Sequence, residues 1–170
     1  MSISDQYVIP LKGLTDGVYN YTFEFEQKFF DEFNEVEFRH SDIEAIILLE
    51  KRASLIVLEI GISGTIDVIC DRCLDYFSMP VKNSQHLYLK LGQKGEDDDE
   101  ETIFLSDTEQ HISIAQYVYE LVNFSIPLRK VHPKNSQCNK EMLKKLEEYS
   151  TGKEHEIDPR WEKLKNLLNN

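Results

Sequence analysis

Three cysteines and five histidines are the residues of this 170-residue chain best suited to chemistry, and two of the thiols stand close together in Cys70-Asp71-Arg72-Cys73. A Cys-x-x-Cys pair can hold a metal, form a disulfide or simply pack. With Asp71 and Arg72 as the central residues of a turn, Cys70 and Cys73 sit at its ends, within about 7 Å between Cα atoms. A redox pair of the thioredoxin type opens a helix, whose dipole lowers the thiol pKa. Here both flanks are strand-like, which argues against redox catalysis. A zinc site wants about four ligands, often two from each of two short motifs. Cys138 is the third cysteine and His132 lies six residues before it, so Cys70, Cys73, His132 and Cys138 make a Cys3His set with zinc as its cofactor. The spacing of the second pair is loose, and purely structural cysteines are the commoner outcome, so zinc stands as the alternative.

Nothing else in the sequence has the form of a catalytic constellation. There is no glycine-rich phosphate loop, no His-Glu-x-x-His and no nucleophile elbow. No catalytic residue is assigned, and the expectation is a protein that is not an enzyme.

The elements that must position the thiols are strands. Ile60, Ile62, Ile66, Val68 and Cys70 alternate as in a half-buried strand leading into the cysteine pair. Tyr19, Tyr21, Phe23 and Phe25 share one parity of an earlier strand, after the turn signal Asp16-Gly17. Phe29, Phe30 and Phe33 follow at helical spacing and read as core. Ile43 to Lys51 is apolar on both parities and predicts a strand covered on both faces. Gly61 and Gly64 mark a bend or bulge. Leu87, Leu89 and Leu91 alternate with His86, Tyr88 and Lys90 in one more strand. This succession of short strands without intervening long helices predicts an α+β fold: an antiparallel sheet or partly closed barrel with a C-terminal helical segment. A helix is expected from Ser113, which forms a capping box with Gln116. A second is capped by Asn139, with Leu143 and Leu146 inward. A third begins at Asp158-Pro159 and carries Trp161, Leu164, Leu167 and Leu168 on its apolar face.

Charge divides the chain. The net value is −12, yet residues 121–170 hold ten Lys and Arg against seven Asp and Glu. Six basic residues lie between Arg129 and Lys145 with Glu141 as the only acid. Residues 1–126 form a β-rich body with one helix and 127–170 a basic helical tail packed on it, together one domain. An acidic body with a basic tail implies that an anionic partner is met by the tail. A run of six carboxylates, Glu96 to Glu101, repels itself and predicts a solvated loop. The longest purely apolar run is too short for a bilayer span, and the N-terminus shows no secretory pattern. The odd cysteine count disfavours a disulfide framework, so the expected location is the cytoplasm.

Three motifs in order, CDRCL at Cys70–Leu74, ELVNFSIPLRKVH at Glu120–His132 and IDPRWEKLKNLL at Ile157–Leu168, resemble the YceD family, as do YVIPLKGLTDG and GISGTIDVICDRC nearer the N-terminus. The RKVHP and DPRW segments are similar in style to the branch found in Bacteroidetes-like bacteria. Many members carry a second cysteine pair in the tail, where this chain has Cys138 alone. The resemblance implies a non-catalytic factor for synthesis, processing or stability of large-subunit (23S) ribosomal RNA. The implied partner is ribosomal RNA or a large-subunit precursor, with no membrane. On the residues themselves, Arg129, Lys130, Lys134, Lys140, Lys144 and Lys145 are the expected phosphate contacts, with Arg72 and Arg160 as forked partners. The alternative is an acidic, chaperone-like adaptor for a basic ribosomal protein.

Overall fold

The computed structural model describes residues 6–33, 36–53, 55–92, 102–106 and 109–150. Alternation of side chains about the backbone builds most of it. Strands β2 (Gly17–Glu26), β3 (Phe38–Arg52), β4 (Leu55–Ile69), β5 (Tyr76–Leu91) and β6 (Thr102–Leu105) form one sheet in that order. Neighbours from β2 to β5 run antiparallel, while β6 lies parallel to β5. The sheet is open, with β2 and β6 at its edges, so the antiparallel expectation holds for four strands and the partly closed barrel does not hold. Closure would need β6 to pair with β2, and β6 is a four-residue strand paired with β5.

One face of this sheet is the core. Ile43, Ala45, Ile47 and Leu49 of β3 and Ile56, Leu58, Ile60, Ile62, Ile66 and Val68 of β4 are buried there. Their alternate neighbours look outward, and Ile46 and Leu48 are exposed. The expectation that β3 is covered on both faces is thereby corrected. Lying on the buried face are α1 (Gln27–Phe30), a two-stranded sheet of β1 (Val8–Pro10) with β7 (His111–Ser113), and α2 (Ala115–Phe124). Phe29 and Phe30 of α1 are buried and meet edge-to-face at 4.9 Å, the arrangement aromatic quadrupoles favour. Ala115, Val118, Leu121 and Val122 give α2 its buried stripe at helical spacing.

Two local expectations change. Ser113 ends β7, and Gln116 bonds Glu120 at 2.7 Å, so no capping box forms; Ser113 Oγ accepts the Ala115 amide at 3.4 Å. The bulge signalled by the glycines lies on β3, where the register shifts between Arg39 and Asp42 and His40 takes φ +50°. Gly64 of β4 sits against the end of that bulge: a Cβ there would run into Asp42 O and come within 2.9 Å of Ile43 Cα. Glycine is therefore required by close approach of two backbones.

Candidate metal centre

The β4–β5 hairpin is the longest in the sheet, with pairing that begins at Leu55↔Lys90 and runs to Ile69↔Tyr76. Residues 70–75 form its tip. The tip is longer than a two-residue turn: Cys70 N–H donates to Asp75 O and Leu74 N–H donates to Cys70 O, both at 2.9 Å. Leu74 takes φ +62° to close it. Within this loop both thiols turn inward, and Cys70 and Cys73 are wholly buried.

The segment after α2 folds back onto the tip. Asp71 N–H donates to Lys130 O at 2.7 Å, and Lys130 N–H donates to the Asp71 carboxylate. Two residues on, His132 is buried at 7 % exposure and its ring lies 4.7 Å from that of Phe77 on β5. A 3-10 turn at Asn135–Gln137 then brings in Cys138, also buried. The sequence expectation for Asn139 holds: its side chain accepts from the amides of Glu141 and Met142 and caps α3 (Lys140–Tyr149). Met142 and Leu143 of α3, with Val131 and Phe77, pack around the three cysteines, whereas Leu146 is exposed instead of inward.

Cys70, Cys73, His132 and Cys138 thus offer four ligand atoms that all lie within 4.8 Å of one another. His132 Nδ1 is 3.6 Å from Cys73 Sγ and 3.5 Å from Cys138 Sγ. Tetrahedral ligation with metal–sulfur near 2.3 Å and metal–nitrogen near 2.0 Å puts ligand atoms about 3.6 Å apart. The donor set and its spacing therefore fit a metal ion. The thiols also respond to one another. Burial raises the Cys70 pKa, but the amides of Arg72, Cys73 and His132 and the His132 ring outweigh it and hold the thiol down at about 6. Cys138 is pushed up to about 11 by burial and then by its hydrogen bonds to Cys73 and Cys70 and their charge. Amides aimed at sulfur and an apolar shell around it are the surroundings of a ligating thiolate.

The expected RNA-contact residues stand in several settings. Arg129, Lys134, Lys140 and Lys145 are exposed and have no ion pair among the described residues. Lys130 is half-buried, and its Nζ pairs with Glu37 at 2.9 Å. Lys144 lies 3.9 Å from Glu148, one turn along α3. Arg72 is half-buried at the hairpin tip. Arg160, the helix expected from Asp158 and the Glu96–Glu101 run lie outside the described residues. Sequence reasoning missed Asp71 and Phe77. Asp71 carried a signal, an aspartate in a tight turn that is free to accept backbone amides; Phe77 reads as any strand aromatic.

An open five-stranded sheet whose longest hairpin ends in a buried Cys3His cluster, with a basic segment folded back on it, defines a small α+β protein whose cluster is spaced to hold a metal ion. The family model for the large ribosomal RNA subunit accumulation protein YceD matches residues 58–168, which include most of the hairpin with its tip, the strap and all four cluster residues, and the chain belongs to that family. No curated protein and no solved structure matches the chain. The family is described by accumulation of large-subunit ribosomal RNA and not by a reaction. Among the described residues, no helix is long and apolar enough to cross a membrane.

Proposed function

We propose that the chain acts without catalysis in the accumulation of large-subunit ribosomal RNA, by holding its basic segment rigidly against the RNA backbone. One observation supports this most. The exposed cations Arg129, Lys134 and Lys140 alternate along the chain with the two cluster residues His132 and Cys138. Fixing the cluster therefore fixes the backbone that carries the charges. Three thiolate-type donors and one imidazole make zinc the fitting metal, and zinc would supply a four-way cross-link through an ion with no redox chemistry of its own. Cys70 and Cys73 would hold it from the hairpin, His132 and Cys138 from the strap. Lys144 and Lys145 on α3 extend the same segment, and Arg72 at the tip is a further contact, as is Arg160 later in the sequence.

The acidic remainder of the chain disfavours loose, sequence-independent binding to RNA, which leaves the segment as the attractive surface. The test is binding of large-subunit ribosomal RNA across a salt series. Changing Arg129, Lys134, Lys140 and Lys145 to Ala is expected to flatten the slope of log affinity against log salt by about 0.7–0.9 for each phosphate no longer neutralised. A slope equal to that of the unmodified protein overturns this reading. Crosslinks from residues 129–145 to a basic ribosomal protein in place of RNA would point to the adaptor role instead.

A further inference from the structure

Between the end of α2 and His132 the chain exposes two large apolar side chains: Phe124 is 77 % and Leu128 106 % exposed. Each forgoes about 2 kcal/mol that burial would supply. Phe124 is the last residue of α2 and Leu128 follows four residues later in the strap. Beside them Asn123, Ile126, Pro127 and Leu128 line a cavity of about 380 Å³, whose remaining wall is the Glu37–Lys130 ion pair. That volume is within the range of small-ligand sites, roughly 300–1,000 Å³.

The lining is apolar in three residues and polar in three. Asn123 Nδ2 is committed to Tyr119 O at 2.8 Å, so the amide oxygen is the part of that side chain left to accept from a ligand. Glu37 keeps one carboxylate oxygen outside its pairing with Lys130. A planar group with apolar faces and a hydrogen-bonding edge matches this combination. Arg129, next in the chain to Leu128, is exposed and has no ion pair among the described residues. It supplies a cation of the kind a phosphodiester needs.

We propose that this cavity takes an unpaired nucleobase of RNA, with Phe124 as a stacking platform for a neighbouring base and Arg129 on the linking phosphate. The proposal rests on the reading of the basic segment as an RNA contact, and adds that the RNA met here is single-stranded. In a duplex the bases are stacked and their faces closed, whereas loops and ends offer them to aromatic side chains.

The test is fluorescence anisotropy of the full chain with a labelled twelve-nucleotide RNA, either unpaired or annealed to its complement. The unpaired strand is expected to bind about ten-fold more tightly. Phe124→Ala with Leu128→Ala, both at exposed positions, is expected to erase that preference while leaving the salt slope unchanged. Arg129→Ala is expected to reduce the slope. A double variant that still prefers the unpaired strand overturns the pocket assignment, even where the cation variants weaken both RNAs and the basic-segment reading survives. Wild-type protein that binds neither RNA overturns both. Loss of crosslinks to a ribosomal protein in the double variant, with RNA affinity intact, would make the surface a protein contact and also overturn the proposal.

Discussion

Asp71 and Lys130, 59 residues apart, are joined by a reciprocal pair of hydrogen bonds: the Asp71 amide donates to Lys130 O, and the Asp71 carboxylate accepts the Lys130 amide. This clamp ties the hairpin tip to the strap one residue from Cys70 and two from His132. It helps to set the distance between the two halves of the cluster. The Lys130 side chain extends the attachment to Glu37.

Removing the side-chain half of the clamp, which leaves the Asp71 amide bonded to Lys130 O, should be felt at a bound metal. Asp71→Ala is expected to lower zinc affinity, by less than the roughly ten-fold that losing a direct hydrogen-bond partner of a ligand costs, because Asp71 holds the strap and not a ligand. The missing hydrogen bond itself is worth about 1 kcal/mol of stability. Competition against a chromophoric chelator reads the affinity. A wild-type value in the variant would mean that the strap is positioned by other interactions.

Metal affinity should fall with acid. Cys70, depressed to about 6, is a thiolate at neutral pH and becomes protonated as the pH drops through that value. Cys138, raised to about 11, must give up its proton whenever a metal binds near neutrality. Calorimetry in buffers of different ionisation enthalpy should detect this proton release. Affinity that stays constant from about pH 7.5 to 5.5 would contradict thiolate ligation by Cys70. The metal-free fold has its own pH signature with the signs opposed. The Cys70 contribution is full above the ordinary thiol value of 9 and is lost as pH falls through about 6. The Cys138 contribution is full below 9 and is lost as pH rises through about 11.

The attachment of α3 depends on the cluster. None of its residues is buried, and Met142 and Leu143 pack against the cysteines. Cys138→Ser, or chelation of the intact protein, should open residues 133–150 to limited proteolysis and fast amide exchange. The sheet core, with its own apolar cluster, should keep its protection. Equal loss of protection in β3 and β4 would show that hub and sheet unfold as one unit.

On β4, against the end of the β3 bulge, Gly64→Ala should destabilise the fold by about 2 kcal/mol or more, because the added methyl meets the β3 backbone and not a movable side chain. Urea denaturation measures it. A cost near zero would place the bulge of β3 among features that relax freely.

How far the sequence reaches differs by element. The parity of Tyr19, Tyr21, Phe23 and Phe25 told which face of β2 turns inward, since successive side chains of any strand alternate. Asn139 told where α3 begins, because a cap acts on amides two and three residues away. Both are local consequences of backbone geometry. The same logic failed for Ile46 and Leu48, whose apolar character fits a covered face but whose exposure was set by the one-sided layering of helices on the sheet. It failed also for β6, whose parallel alignment depends on the path the chain takes after β5. The chemical identity of the candidate ligands was legible in Cys70, Cys73, His132 and Cys138. Their convergence was legible only as the alternative Cys3His set, and the 3.6 Å approach of Cys73 to His132 across 59 residues of chain is given by the fold. Residue types and short-range periodicity belong to the sequence alone. Which distant residues meet is decided by packing of the sheet and by the Asp71–Lys130 clamp, and these act only once the chain has folded.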